Sequence, residues 1–333
     1  MEKQCLIIAE AGVNHNGRLD LALQLCEKAK ASGADIVKFQ TWKTEKIITH
    51  NVAQASYQEK NIGLKQSQFD MLKKLELSYD DFKKIKQYCD RLGIVFSSTA
   101  DEEESLDFLL ELGIPFIKVS SGDIGNISFL RYIGSKKKPV ILSTGMSCLA
   151  DVDISINALR EGGAKDISLL HCTTDYPCCY EDVNLRAMLT LKNAFHLPVG
   201  YSDHTKGCDV AIAAVALGAQ IIEKHFTLNC NMEGPDHAAS TDPAEFSRLV
   251  KVIRDTETFM GDGIKKPTGV EREIAGVITK RIVAAQPIKK GEILSKSNIC
   301  VKRNDVGMKA VQWDLVVGRS AEREYSYDEG III

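Results

Sequence analysis

The sequence predicts an α/β chain built as a (β/α)8 barrel, the TIM-barrel architecture, followed by a small β-rich module. Eight short, β-rich apolar runs alternate with helix-like stretches over about the first 260 residues. That span matches the roughly 250 residues such a barrel takes. Each run ends in polar or charged residues, at the end where a barrel of this kind carries its active site. A doubly wound open sheet is the architecture that the same alternation also allows.

The predicted strands are residues 6–10, 36–40, 95–99, 116–121, 140–144, 167–172, 199–203 and 221–226. Between them, residues 19–30 carry an apolar stripe and a charged face and stop before Gly33, as a barrel helix should. Residues 209–217 are nearly all apolar and end at Gly218, which predicts burial on most sides, against a second domain or a second subunit. The stretch 41–71 is polar, contains Asn51, Asn61 and Gly63, and is longer than a simple strand-to-helix connection; long loops at the top of a barrel usually serve a site. The barrel is assigned to residues 1–262 and an exposed, charged linker to 263–280, with Lys265, Lys266, Pro267, Glu271, Arg272 and Glu273. The module is assigned to 281–333, with strand-like pieces at 282–285, 291–294, 299–302 and 331–333. About 50 residues is marginal for an independent core, so this module should lean on something larger.

A net charge of −3, from 42 Lys+Arg against 45 Asp+Glu, argues against a nucleic-acid partner, which needs a basic stripe. With 44% hydrophobic and 26% charged residues, the chain reads as an ordinary globular protein. The apolar run at Leu6 is broken by Glu10, and no run approaches the ~18 apolar residues of a membrane helix. A cytoplasmic location is expected. The ten cysteines are scattered without any Cys-x-x-Cys pair, and Cys172, Cys178 and Cys179 lack zinc-ribbon spacing. Reduced thiols follow.

The strand ends collect Glu10; Lys38 and Gln40; Ser98 and Thr99; Lys118, Ser120, Ser121 and Asp123; Ser143 and Thr144; His171 and Thr173; Ser202, Asp203 and His204; and Glu223, Lys224 and His225. Thr99 and Asp101 could equally cap the following helix. Lys38 and Lys118 each sit among apolar strand residues. An inward lysine is costly there unless paired or bound to an anion. One such lysine could serve a Schiff-base aldolase. Two, with the hydroxyls of Ser121, Ser143 and Ser202, favour an anionic substrate such as a phosphate or carboxylate. His204 and His225 end adjacent strands, so both imidazoles could face one divalent ion that polarises a carbonyl. His171 has only its location to favour a role. Gly234-Pro235-Asp236-His237 reads by itself as a turn, placed where a loop would close over the site.

These residues stand in a recognisable order. Ile8-Ala9-Glu10-Ala11-Gly12-Val13-Asn14-His15-Asn16-Gly17, Val37-Lys38-Phe39-Gln40-Thr41, Leu142-Ser143-Thr144-Gly145-Met146, His171-Cys172-Thr173, Tyr201-Ser202-Asp203-His204-Thr205, Glu223-Lys224-His225-Phe226-Thr227 and Gly234-Pro235-Asp236-His237 together resemble the sialic acid synthases, the N-acetylneuraminate and legionaminate synthases. The last 50 or so residues resemble that family's antifreeze-like (SAF) domain. The resemblance implies a carbon–carbon bond-forming transferase that condenses phosphoenolpyruvate with an N-acylated mannose-type sugar and water, giving a nine-carbon α-keto acid and phosphate. It implies that Lys38, Lys118, Ser121, Ser143 and Ser202 hold phosphoenolpyruvate, with Gln40 and Thr99 nearby. Glu10 becomes the acid/base candidate, Tyr176, Asp123 and Asp236 sugar contacts, and His204 and His225 ligands of Mn²⁺, preferred over Mg²⁺ because the ligands are imidazoles. It also implies a homodimer in which the SAF domain of one subunit covers the partner's site and supplies Arg303.

The sequence departs from the family at Asn304-Asp305, in the lid loop, at Asp123, where many members carry Glu, at Cys178-Cys179, and at Ala100-Asp101, which stands in place of Pro-Phe. These changes bear on the sugar more than on the reaction. N-acetylmannosamine is the first expectation for the acceptor, with N-acetylneuraminate as product. 2,4-Diacetamido-2,4,6-trideoxymannose, which yields legionaminate, is second, and a pseudaminate-type sugar third. A metal-dependent or Schiff-base aldolase is the more distant enzyme class. A binding module scaffolded by the barrel is disfavoured by the polar strand ends.

Overall fold

The computed structural model describes residues 4–63 and 65–333; residues 1–3 and 64 of the predicted barrel lie outside the described residues. Eight parallel strands close in sequence order: β1 (Leu6–Gly12), β2 (Ile36–Thr41), β3 (Val95–Ala100), β4 (Ile117–Val119), β5 (Val140–Ser143), β6 (Ile167–Cys172), β7 (Val199–Asp203) and β8 (Ile221–His225). The open-sheet alternative is therefore excluded, since β1 pairs with both β2 and β8. The fourth run ends earlier than predicted. After Val119 the chain turns into a 3₁₀ segment, Ser121–Asp123, with the Asp123 N–H donating to the Ser120 carbonyl, so Ser120 and Ser121 lie beyond the strand.

Side chains alternate across a strand, so inward positions two residues apart stack in tiers inside the barrel. The floor is apolar but for Ser97 on β3, with Ile8, Ile36, Phe116, Ile141, Leu170 and Ile221, and Gly200 on β7. Above it lies a polar tier of Glu10, Lys38, Thr99, Lys118, Ser143, Cys172, Ser202 and Glu223. A rim tier follows, with Gly12, Gln40, Asp101, His204 and His225. Outward residues such as Val37, Phe39, Phe96 and Tyr201 form the main core between barrel and helices. Leu19–Ala31 buries Ala22, Leu25, Cys26 and Ala29 there, with Asp20 in its first turn and Lys28 and Lys30 in its last, matching the helix dipole.

The nearly all-apolar helix, Asp209–Ala216, is only partly covered within the single chain. It buries Ala211, Ala214 and Val215, but Ala213, Ala216 and Leu217 are exposed. Small alanines carry little apolar surface, so this face can meet water at small cost.

Among the described residues the long β2–β3 connection holds four helices, Thr44–Ile47, Ser56–Ile62, Gln68–Leu75 and Tyr79–Leu92, and packs Trp42, Met71 and Leu75 against Val13.

The chain divides into two compact units, one ending at Gly261 and one running from Asp262 to Ile333. Part of the predicted linker is a helix, Gly269–Ile278, started by a capping box in which the Glu271 N–H donates to Thr268 Oγ1 and the Thr268 N–H to the Glu271 carboxylate. The Thr-x-x-Glu signal was present in the sequence; charge obscured it. The second unit has its own core of Ile282, Leu294, Ile299, Val316, Tyr325 and Ile331. Among the described residues its only paired strands are antiparallel β9 (Lys280–Ala284) and β10 (Ile299–Arg303). The expected pieces at 291–294 and 331–333 make isolated bridges or single hydrogen bonds instead, Ile293 with Ser320 and Ile331 N–H to the Ile282 carbonyl. No helix among the described residues is long and apolar enough to cross a membrane.

Candidate active site

A cavity of about 410 Å³ opens at the carboxyl ends of the strands. Of the predicted site residues, all but Asp236 and Arg303 line it. Asp236 stands behind its wall, buried, with a carboxylate oxygen 4.0 Å from His225 Nδ1. Arg303 is carried by the second unit, exposed at the end of β10. Ile47, Ile48, Gln68 and Leu72 of the long β2–β3 connection line the mouth, so that segment does serve the cavity.

The alternation of each strand separates the polar strand ends into two groups. Those pointing outward have structural duties: Lys224 Nζ pairs with Asp203 at 2.7 Å, Thr41 Oγ1 contacts Ser98 Oγ at 2.7 Å, and Thr144 Oγ1 donates to the Leu170 carbonyl. His171 belongs with them, held by Nε2 against the Val183 carbonyl at 2.7 Å.

The inward group forms one charged network. Lys38 Nζ lies 2.6 Å from Glu10, donates to Thr99 Oγ1 at 3.0 Å, and is 3.7 Å from Glu223. Lys118 Nζ donates to Ser143 Oγ at 2.7 Å and is likewise 3.7 Å from Glu223. Gln40 donates to Glu10, and Ser202 to Glu223. The two lysines differ in consequence. Burial alone would lower Lys38, but the charges of Glu10 and Glu223 outweigh it and raise its pKa. For Lys118 burial wins and the pKa falls, so this ammonium is the one short of negative charge. Glu223 is held below its usual range, burial being outweighed by Lys118 and Lys38. Burial pushes Glu10 up to about 7, against the pull of Lys38. Asp101 also rises to about 7, through burial and the charge of Asp123.

Two cavity carboxyls are given no role in the site by the sequence alone. Glu223 bridges both lysines, and the alternation of Glu223-Lys224-His225 would have found it, since the first and third must face inward together. Asp101 has the sequence signature of a helix cap, but Glu102 takes that part, accepting from the Ser105 and Glu104 N–H groups at the start of Glu103–Glu111.

On the far wall, Ser121 Oγ accepts the Gly145 N–H at 2.9 Å and touches Cys172 Sγ at 3.2 Å. A Cβ on Gly145 would stand 2.2 Å from Thr174 Oγ1 and 2.9 Å from Ser121 Oγ, so any side chain there would displace these hydroxyls. The His204 and His225 rings lie 5.5 Å apart, and the Tyr176 ring packs 4.2 Å from His204 and edge-on to His225. Among the described residues no group of three or more His, Cys, Asp or Glu side chains is arranged to hold a metal. The histidine pair nevertheless suits a divalent ion that keeps open positions. His204 Nδ1 is fixed on the Thr173 carbonyl at 2.6 Å, which leaves Nε2 as the lone-pair nitrogen facing inward, and His225 Nδ1 is buried without a hydrogen bond. Burial lowers both pKa values, keeping the imidazoles neutral as ligation requires.

Comparison with known proteins bears on this site. The NeuB family model matches residues 25–265. An N,N'-diacetyllegionaminic acid synthase of Campylobacter jejuni is 47% identical over 329 residues, covering 98% of each chain. Another of that name from Legionella pneumophila is 45% identical, covering 94% of this chain and 89% of its own. The crystal structure of an N-acetylneuraminic acid synthetase from Leptospira borgpetersenii, in complex with citrate, superposes with a TM-score of 0.73 at 32% identity, over 82% of this chain and 90% of that one.

Proposed function

This chain belongs to the NeuB family, and from that premise we propose that it condenses phosphoenolpyruvate with 2,4-diacetamido-2,4,6-trideoxymannose and water, giving N,N'-diacetyllegionaminate and phosphate. The acceptor rests on one observation, the 47% and 45% identity to N,N'-diacetyllegionaminic acid synthases over nearly the whole chain. It displaces N-acetylmannosamine, the first expectation from the sequence.

Phosphoenolpyruvate fits the polar tier. Lys118, short of negative charge, and Lys38 flank the place of its phosphate and carboxylate, with Ser143, Ser121, Ser202, Gln40 and Thr99 as neutral partners. The acceptor then lies above, over the rim, against Tyr176 and Asp123, with Asp236 behind His225. His204 and His225 are the residues that would hold a divalent ion, Mn²⁺ in preference to Mg²⁺, which would supply Lewis-acid polarisation of the sugar aldehyde. The methylene carbon of phosphoenolpyruvate forms the new bond to the aldehyde carbon. Water adds to the oxocarbenium carbon that results, and the bond from that carbon to the phosphate oxygen breaks. Glu10, with a pKa near neutrality, is suited to carry a proton in these steps. The lysines offset the phosphate charge throughout.

We read the second unit as an antifreeze-like lid that acts on the partner of a homodimer through Arg303. Mixing a Lys38→Ala variant with an Arg303→Ala variant restores activity on that reading, because one mixed site regains both residues.

The deciding experiment is phosphate release from phosphoenolpyruvate with Mn²⁺, run in parallel with each sugar. Release with the diacetamido sugar supports the proposal; release with N-acetylmannosamine alone returns the assignment to an N-acetylneuraminate synthase. A keto-acid product formed without phosphate release would mean an aldolase.

A further inference from the structure

Asp101 is the cavity carboxyl that the chemistry above leaves without a task. It follows the last residue of β3, with its backbone N–H tied to the Thr41 carbonyl at 3.2 Å, so its position is fixed by the barrel rather than by a loose loop. Its side chain is half-buried and lines the cavity. Among the described residues nothing donates a hydrogen bond to its carboxylate. Its neighbour Asp123 differs, being held by Ser120 and Asn126. A half-buried carboxylate without a donor is costly, and a ligand that brings one removes that cost.

The barrel also fixes what Asp101 faces. Asp101 is two residues beyond Thr99, as His204 is two beyond Ser202 and His225 two beyond Glu223, so all three belong to the rim tier. In a closed eight-stranded barrel in sequence order, β3 lies four strands from β7, directly across the mouth. An acceptor whose aldehyde end is directed to His204 and His225 extends its remote end toward β3.

Resting on the synthase reading, we propose that Asp101 is a specificity-determining residue that accepts a hydrogen bond from an N–H on the part of the acceptor remote from its aldehyde, in the diacetamido sugar the 4-acetamido N–H. In its ionised form the same carboxylate, beside Asp123, disfavours an acceptor carrying a phosphate at its remote end, because like charges would be brought together in a confined site.

The test compares wild type with Asp101→Asn, which keeps size and an oxygen acceptor, and Asp101→Leu, which removes both charge and acceptor. Phosphate release is followed with the diacetamido sugar, with N-acetylmannosamine and with N-acetylmannosamine 6-phosphate. In Asp101→Leu the KM for the diacetamido sugar rises about tenfold or more, while the KM for phosphoenolpyruvate stays within about twofold and reports an intact fold. Asp101→Asn lies between, and it relaxes the exclusion of the phosphorylated sugar. An unchanged acceptor KM in both variants overturns the inference while leaving the synthase reading intact. A wild type silent with all three sugars sinks the synthase reading, and this inference with it.

Discussion

The Lys38 ammonium stands 2.6 Å from the Glu10 carboxylate on a neighbouring strand, both side chains being 2% exposed. A pair buried this deeply repays its desolvation only through further partners, here Thr99, Gln40 and the second carboxylate, Glu223. The arrangement is poised: burial raises Glu10 to about 7, and a phosphate arriving at Lys38 would compete for the same ammonium.

Replacing Glu10 by Gln keeps the shape and removes the titration. The kcat is expected to fall by about 10²–10⁴-fold, the usual weight of a positioned acid or base. The wild-type pH profile of kcat/KM, which reports groups of the free enzyme, should show a limb near 7, where Glu10 changes charge. A limb rising with pH identifies a base and a falling one an acid; the variant should lack it in either case. Persistence of the limb in Glu10→Gln would assign it to another group.

Glu223→Gln leaves Lys118 and Lys38 without their shared counter-charge. Breaking a buried ion network from one side costs about 3–5 kcal/mol, so thermal unfolding of the free protein should move to markedly lower temperature. Phosphoenolpyruvate brings anionic groups to the same lysines. Its addition should therefore raise the Tm of Glu223→Gln more than that of the wild type. Equal shifts would mean that Glu223 does not balance the lysines.

The barrel was legible because its strands are short, β-branched and each followed by a polar end. Lys38 and Lys118 stood out for the same reason, as charges inside apolar runs. Glu223 did not, because it sits in Glu223-Lys224-His225, where both faces of β8 are charged and polarity alone carries no direction. Asp101 looked like a cap, since a cap and a rim residue have the same sequence signature at a strand end; only the hydrogen bonds to Glu102 separate them. The second unit was least legible. Its pieces at 291–294 and 331–333 are as apolar as β9 and β10, but pairing partners are a long-range property that local pattern does not contain.

Gly200 faces the apolar floor from β7, where a Cβ would stand 2.3 Å from the Ile221 carbonyl and 2.7 Å from Leu170 Cδ2. Gly200→Ala must therefore push backbone, not the tip of a side chain. The expected cost is about 1–3 kcal/mol, read as a lowered urea midpoint. A variant as stable as wild type would show that the floor has room this packing does not contain.

Mn²⁺ is expected to raise the Tm of the wild type and to leave that of a His204→Ala variant unmoved. The variant removes the imidazole whose Nδ1 is already committed to the Thr173 carbonyl, and so the inward Nε2 as well. This readout does not depend on turnover. An equal Tm rise in both proteins would place the ion elsewhere.

Acid should act on stability in two opposing directions, and variants separate them. His15 is fully buried, with its pKa lowered to about 4 by burial and by the nearby His237. Its Nδ1 accepts the Gly17 N–H at 3.0 Å, so a proton there would confront a donor. Between pH ~6.5 and ~4 the unfolded chain takes up a proton that the native state refuses, and stability falls as pH drops through that window, by at most about 3 kcal/mol. Glu10 runs the other way. With a native pKa of about 7, it binds a proton in the folded state that the unfolded chain does not bind until about 4.5, so it adds stability as pH falls from 7. The wild-type curve also contains the other shifted groups, Asp101 and Asp236 raised and His237 lowered, so the differences between variants and wild type isolate each contribution. The stability of His15→Gln relative to wild type should therefore rise steadily from pH 6.5 to 4, whereas that of Glu10→Gln should fall from pH 7 to 4.5. Urea midpoints at pH 7, 5.5 and 4.5 for the three proteins measure this, and parallel curves would show that neither group titrates differently on folding.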